Sequence, residues 1–175
     1  MSSDKYLENI SRYIRQKVED AFIITSFAVQ PDGYTRDGYF GRDIFRRMVE
    51  VKDVEALGLN CVSGPYHMLH YVKELQLKNV VLSVMPNAGY PTVVNNRTLF
   101  DASPEYFGSK MADIVRQGAA IIGGCCGTTP EYLRETVLKA MQVTGDEIIA
   151  SSVTDGKTMD KLKRENNFIS KLERG

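Results

Sequence analysis

The chain has 175 residues, enough for one domain of ordinary size. Its 22 basic residues balance its 22 acidic residues, which argues against binding to nucleic acid or a membrane surface, because both require a basic excess. No apolar run approaches the roughly 20 residues that cross a bilayer, and the polar start MSSDKYLENISRYIRQ lacks an apolar signal core. These features predict a cytoplasmic protein with no nucleic-acid or membrane partner.

Hydrophobic periodicity predicts an alternation of helices and strands along the first 142 residues. Apolar residues at helical spacing predict a helix at 4–18. The apolar run at 21–29, rich in β-branched and aromatic residues, predicts a strand buried on both faces. The alternation continues as helix 42–51, strand 54–60, helix 64–76, strand 79–85, helix 104–117, strand 119–123 and helix 130–142.

The remaining segments predict loops and one domain boundary. Two Asp-Gly pairs predict a loop at 31–41, and residues 86–103 are also predicted as a loop. Four strand–helix alternations imply parallel strands joined by helical crossovers, so the predicted fold class is α/β. The apolar pattern thins after residue 145. We therefore predict a domain at 1–145 and a linker at 146–175 that leads toward a downstream domain.

Three cysteines lie directly after two of the predicted strands. Cys61 follows one strand, and Cys125 and Cys126 follow another. The carboxyl ends of parallel strands share one face, where active sites form, so the three sulfurs are candidates for one site. Three thiolates suit Zn²⁺, and three protein ligands leave a fourth position open, as in catalytic zinc sites. In a reducing compartment such cysteines more often bind metal or act in catalysis than form disulfides.

The residues around the cysteine pair fit this interpretation. Gly123, Gly124 and Gly127 remove side chains and permit unusual backbone angles, which would let two adjacent sulfurs face one ion. The segment 128–130 predicts a helix start, whose backbone amides can bind an anion such as a substrate carboxylate.

The residues alone leave other interpretations open. Cys61 could be a buried, unreactive thiol, and the adjacent pair could form a redox disulfide. His67 and His70, three residues apart on a predicted helix, have a spacing that can bind metal, although solvated or core histidines are commoner. Asp32 and Asp37 are explained by turn formation, although their loop lies at the carboxyl end of a strand and could touch a substrate.

Three motifs resemble successive signatures of the homocysteine S-methyltransferase family: GLNCVSGP at 58–65, PNAGYP at 86–91 and GGCCGTTPEYL at 123–133. The resemblance covers roughly residues 3–142. It implies a TIM (β/α)8 barrel of which this chain carries the C-terminal half, about four strands. It also implies zinc-dependent methyl transfer to the thiol of homocysteine, giving methionine. The zinc ligands would be Cys61, Cys125 and Cys126, and the homocysteine-binding residues would be Asn87, facing the amino group, and Gly124.

The resemblance also sets expectations about partners. The family's first half-barrel lies outside this sequence, so we expect open sheet edges and exposed apolar faces that pair with an N-terminal half-barrel or with another copy. The tail at 161–175 resembles a linker into a methylenetetrahydrofolate reductase domain. The methyl donor is left open among betaine, S-methylmethionine, methylated folate and corrinoid. The alternative function is a non-catalytic zinc-binding or thiol redox-sensing module.

Overall fold

The architecture is an alternation of helices and strands, as seen in a computed structural model that describes residues 1–77, 79–95 and 97–143. The elements are α1 Leu7–Lys17, β1 Ile24–Phe27, α2 Gly41–Val49, β2 Ala56–Asn60, α3 Pro65–Leu75, β3 Val81–Met85, β4 Pro91–Val94, β5 Arg97–Phe100, α4 Pro104–Arg116, β6 Ala119–Ile122 and α5 Pro130–Ala140. Every predicted helix and strand is present, with ends shifted by a few residues. The predicted linker at 146–175 lies outside the described residues.

The main sheet has four parallel strands in the order β1-β2-β3-β6. Within this sheet, neighbouring strands follow one another along the chain, and each connection between them contains a helix. This is the arrangement of consecutive β/α units in a barrel, and it confirms the predicted α/β class with parallel strands. Because the strands are parallel, all four carboxyl ends lie at one edge of the sheet.

One face of the sheet forms the core with the helices. Phe27 and Leu59 on this face are buried, and Phe27 meets Phe45 of α2 edge to face with ring centroids 5.7 Å apart. Phe107 and Ile114 of α4 are also fully buried in the same apolar cluster. Each such side chain contributes about 1.5–3 kcal/mol when it leaves water, so this layer holds the strand ends in place.

The opposite face of the sheet carries narrow side chains. Ser26, Gly58 and Ser83 are aligned across three strands by the register of pairing. A Cβ atom at Gly58 would lie only 2.8 Å from Ser26 Oγ, so a larger residue does not fit there. One level closer to the carboxyl edge, Ser26 Oγ donates a hydrogen bond to Asn60 Oδ1 at 2.7 Å. Small and polar residues therefore line this face of the sheet as far as Asn60, the residue before Cys61.

The prediction that residues 86–103 form only a loop was wrong. They contain an antiparallel hairpin of β4 and β5, paired from Pro91 with Phe100 to Val94 with Arg97. The sequence carries the signal, since two asparagines at 95–96 separate runs rich in β-branched residues. The loop at 31–41 does form turns: Asp32 Oδ1 accepts a hydrogen bond from the Tyr34 backbone N–H at 2.9 Å.

The described part of the chain has no helix that combines the length and the apolar composition needed to cross a bilayer.

Candidate metal centre

The three cysteines meet at the carboxyl edge of the sheet. Strand β3 lies between β2, which precedes Cys61, and β6, which precedes Cys125 and Cys126. The Sγ atoms of Cys61 and Cys126 are 3.6 Å apart, and those of Cys125 and Cys126 are 3.9 Å apart. All three sulfurs lie within 4.8 Å of one another. The predicted convergence of two remote stretches is therefore present in the fold.

The spacing of the sulfurs fits a tetrahedral metal ion. Two thiolates bound to Zn²⁺ at about 2.3 Å with tetrahedral angles lie about 3.8 Å apart, close to the two distances just given. Within residues 1–77, 79–95 and 97–143, these cysteines are the only group of three or more potential ligands close enough to share an ion. Cys126 is exposed, whereas Cys61 and Cys125 are half-buried, so the cluster is open to a ligand from solvent.

Cys61 reaches the cluster through an unusual backbone conformation. Cys61 and Val62 have φ angles of 61° and 51°, in the left-handed region that non-glycine residues rarely adopt. The Cys61 N–H donates to the Met85 carbonyl at 3.2 Å, and the Ser63 N–H donates to the Cys61 carbonyl at 2.6 Å. One hydrogen bond to the neighbouring strand and one within the turn thus hold a backbone conformation that these residues do not favour.

The cysteine pair reaches the cluster through a glycine-rich turn. Gly127 has a φ of 78°, and a Cβ atom there would collide with the Phe100 ring. Thr128 closes the turn, because its Oγ1 and its N–H both donate to the Cys125 carbonyl, at 2.6 and 3.2 Å. At Gly123 an added Cβ would meet only ordinary contacts, so of the glycines predicted to matter this one is not sterically required.

The electrostatics of the cluster distinguish its members. Burial raises the pKa of the Cys61 thiol, but hydrogen bonds to its sulfur outweigh burial and leave that pKa below the ordinary value. These hydrogen bonds come from the Val62 backbone and from the side chains of Cys126, Cys125 and Asn87. Conversely, hydrogen bonds from Cys126 to the Cys61 and Cys125 sulfurs raise the pKa of Cys126 to about 11. Cys61 is therefore a more acidic thiol than Cys126.

The two predicted substrate-binding residues lie beside the cysteine cluster and help to hold the backbone that carries Cys125 and Cys126. Asn87 is 5% exposed, and its Oδ1 accepts a hydrogen bond from the Cys126 backbone N–H at 3.2 Å. At Gly124 a Cβ atom would lie 2.5 Å from Thr128 Oγ1, so glycine allows the turn to close. Homocysteine binding by Asn87 and Gly124 stays a prediction.

The other candidate residues lie in structural contacts. The centre of the His67 ring is 5.5 Å from that of the Tyr90 ring, and the His70 ring lies 4.6 Å from the Tyr66 ring at an angle of 57°. Asp37 Oδ2 accepts a hydrogen bond from Ser2 Oγ at 2.5 Å. In the portion of the chain that the structure covers, the two histidines belong to no group of three ligands.

The predicted anion site at the start of α5 is partly used by the chain itself. The Glu131 carboxylate accepts a hydrogen bond from Thr129 Oγ1. This bond, together with the Glu131 backbone N–H, lowers the pKa of Glu131. A substrate carboxylate at this helix start would have to displace or adjoin that of Glu131.

Sequence reasoning missed two features of the site. The Ser26–Asn60 hydrogen bond was not predicted, although the alternation of side chains along a strand would have placed both residues on the same face of the sheet. The position of Phe100 against Gly127 was also missed. It had no local signal, because it depends on how the β4–β5 hairpin folds back over the cysteine turn.

Comparison with protein families supports the resemblance. The family model for homocysteine S-methyltransferase matches residues 5–139, most of the chain. The chain belongs to the homocysteine S-methyltransferase family. Two methionine synthases are similar to this family member. That of Mycobacterium leprae (strain TN) is 36% identical over 89 residues, and that of Mycobacterium tuberculosis (strain ATCC 25618 / H37Rv) is 33% identical over 101 residues.

Superposition on solved structures identifies the fold. The oxidized form of the homocysteine methyltransferase MmuM from Escherichia coli superposes with a TM-score of 0.61 at 21% identity, covering 79% of this chain and 43% of that one. Its metallated form gives a TM-score of 0.55 at 23% identity. This family member therefore has the fold of half a TIM barrel, the C-terminal half. It spans less than half of MmuM, and its matches cover 50% and 57% of this chain but only 7% and 8% of the methionine synthases.

Proposed function

We propose that this chain supplies the metal-binding half of an enzyme that transfers a methyl group to the thiol of homocysteine and forms methionine. The observation that carries this proposal is the convergence of the Cys61, Cys125 and Cys126 sulfurs at the carboxyl edge of the sheet, with spacings suited to one tetrahedral ion. Membership of the homocysteine S-methyltransferase family supports the choice of substrate.

The proposed resident ion is Zn²⁺, held by the three Sγ atoms. A free alkyl thiol has a pKa of about 8.5, and bound Zn²⁺ would supply the positive charge that keeps the substrate thiol deprotonated at neutral pH. The three cysteine thiolates add negative charge, which preserves the nucleophilic character of a neighbouring sulfur. Three protein ligands leave one position for that sulfur.

The chain's remaining task is to position the substrate. We propose that Asn87 and Gly124 border the homocysteine site, since both lie next to the backbone of the Cys125–Cys126 turn. The thiol proton leaves to solvent, and the substrate sulfur forms a bond to the methyl carbon. The bond between that carbon and the donor breaks, and its electron pair stays with the donor. This displacement requires orientation but no protein nucleophile.

The methyl donor is left open, and we propose that further β/α units contribute to its site. Helices α1 and α5, the first and last that the structure describes, expose apolar stripes. The stripes are formed by Tyr6, Ile10, Tyr13, Ile14 and Val18 near α1, and by Leu133, Val137, Leu138 and Met141 near α5. Exposed stripes of this kind are typical of interfaces. An N-terminal half-barrel or a second copy would cover them. Sedimentation of Ile10→Glu and Val137→Glu variants against the unaltered protein measures association through these stripes, and unchanged sedimentation would contradict it.

We also propose a cytoplasmic location, supported by three free cysteines, and a linker role for residues 146–175. Cell fractionation tests the location, and limited proteolysis that cleaves within residues 146–175 but not within residues 1–145 tests the linker.

X-ray absorption at the zinc edge tests the central proposal. The metal-loaded protein should contain one ion per chain bound by three sulfurs, and added homocysteine should bring a fourth sulfur. A site that keeps its coordination unchanged at saturating homocysteine would indicate a structural zinc module instead. A protein that binds no zinc and shows a disulfide by mass spectrometry would indicate a redox module. Assays of methionine formation with each candidate donor then identify the donor.

A further inference from the structure

The segment after β3 lies between the two cysteine-bearing turns. This clamp segment consists of Pro86, Asn87 and Ala88. The Cys125 N–H donates to the Pro86 carbonyl at 2.8 Å, and the Ala88 N–H donates to the Cys126 carbonyl at 2.9 Å. The clamp segment is therefore hydrogen bonded to both members of the cysteine pair.

The same segment also holds the turn that contains Cys61. The Asn87 N–H donates to the Ser63 carbonyl at 3.0 Å. Next to it, the backbones of the two loops touch, since a Cβ atom at Gly64 would lie 3.1 Å from Gly89 Cα. The clamp segment thus joins two turns that are more than sixty residues apart in the sequence.

Asn87 contacts the cysteine pair through its side chain and the Cys61 turn through its backbone. Its Oδ1 accepts from the Cys126 backbone N–H at 3.2 Å, and its own backbone N–H donates to the Ser63 carbonyl at 3.0 Å. One nearly buried residue therefore hydrogen bonds to both turns.

We propose that Asn87 is a positioning residue, which fixes the Cys61 sulfur relative to the Cys125–Cys126 turn before any metal arrives. Rotation of either turn would separate the sulfurs, and Asn87 opposes rotation of both at once. The reason for positioning the sulfurs rests on the proposed function, whereas the hydrogen bonds of Asn87 do not depend on it.

Cadmium binding tests the proposal without an activity assay. The probe is Cd²⁺, whose absorption with thiolates reports the number of bound sulfurs, with affinity measured by chelator competition. We expect Asn87→Ala and Asn87→Ser to weaken Cd²⁺ binding about 10- to 100-fold, the usual effect of losing an outer hydrogen-bond partner of a metal ligand. The matched controls Asn9→Ala and Asn9→Ser alter an exposed residue of α1 and should bind like the unaltered protein.

Several results would overturn the proposal. A folded Asn87 variant with Cd²⁺ affinity within about twofold of the unaltered protein contradicts it, and Asn87→Ser decides if Asn87→Ala does not fold. Hydrogen exchange gives a test that needs no variant: the Cys126 backbone N–H should exchange slowly in the metal-free protein. Fast exchange of that N–H would contradict the role assigned to Asn87 Oδ1.

The same titrations separate this inference from the proposed function. If homocysteine leaves the spectrum of the Cd²⁺-loaded unaltered protein unchanged, the proposed methyl transfer to homocysteine fails, while the effect of Asn87 on Cd²⁺ affinity still decides the positioning role. If the Asn87 variants lose homocysteine binding but keep full Cd²⁺ affinity, Asn87 contacts the substrate and the positioning role is wrong.

Discussion

Cys61 and the Cys125–Cys126 pair meet in one cluster, but the turns that carry them differ in which residues adopt a left-handed backbone conformation. The first turn places two non-glycine residues, Cys61 and Val62, in the left-handed region. The second turn assigns that conformation to Gly127, which adopts it without steric cost. The first turn is therefore held by contacts with the rest of the fold, whereas the second is favoured by its own sequence.

The comparison shows where each turn is vulnerable. The Cys61 turn depends on one hydrogen bond to the Met85 carbonyl and on the Asn87 backbone N–H, which donates to the Ser63 carbonyl. The pair's turn depends on glycine at two positions where a Cβ atom would collide, with Thr128 at Gly124 and with Phe100 at Gly127. Four predictions, from the largest expected effect to the smallest, test whether the two turns contribute equally and are stabilised differently.

The largest effect should come from removing a sulfur. We expect Cys61→Ser, Cys125→Ser and Cys126→Ser each to reduce zinc affinity by more than the about 10- to 100-fold typical of an outer partner, because each removes a direct ligand. Competition with a chromophoric chelator measures this. If one of the three variants keeps full affinity, the two turns do not act as one three-sulfur site.

The next effect concerns pH. The pKa of Cys126 is raised to about 11 and that of Cys61 is lowered. In the metal-free protein at pH 8, iodoacetamide should therefore modify Cys61 faster than Cys126, as measured by peptide mass mapping. Metal binding at neutral pH must release the Cys126 proton. The affinity for metal should therefore increase as the pH is raised toward about 11, the pKa of Cys126. Equal alkylation rates, or an affinity independent of pH, would contradict the assigned difference.

A smaller effect is expected from Gly127→Ala. The substitution places a side chain at a φ of 78° and against the Phe100 ring. We expect a loss of about 2–5 kcal/mol in the free energy of unfolding of the metal-free protein, measured by urea denaturation, because the conformational cost and the collision add. The control is Gly38→Ala, which has a φ of 80° but open space around the new Cβ, and it should lose only the conformational cost of about 1–2 kcal/mol. Equal losses would mean that Phe100 does not confine the turn.

The smallest effect is expected in the Cys61 turn. Val62→Gly removes a β-branched side chain at a φ of 51°, and relief of that conformation should slightly exceed the added entropy of the unfolded chain. We expect the free energy of unfolding to rise by about 0.5 kcal/mol. Val93→Gly in β4, also an exposed valine, should instead destabilise by about 1 kcal/mol. Destabilisation by Val62→Gly would show that this turn is favoured by its own residues.

Local patterns were sufficient to predict most elements. The first helix was predicted from Leu7, Ile10 and Ile14 at helical spacing, and Pro104 and Pro130 begin helices as their fixed φ favours. The β4–β5 hairpin was missed because its strands are only four residues long and its turn signal was interpreted as a loop. The prediction for residues 146–175 lies outside the part of the chain that the structure describes.

The sequence by itself determined the order of the elements and placed three thiols directly after two strands. It also identified the family, because the motifs around Cys61, Asn87 and the Cys125–Cys126 pair are contiguous. Only the tertiary structure decided that β3 lies between β2 and β6, which brings the Cys61 and Cys126 sulfurs to 3.6 Å. It also decided the left-handed backbone at Cys61 and the hydrogen bond from the Cys126 backbone N–H to Asn87 Oδ1. The physical reason is that strand pairing and hydrogen bonding between loops join residues distant in the chain, whereas propensity and spacing act only between near neighbours.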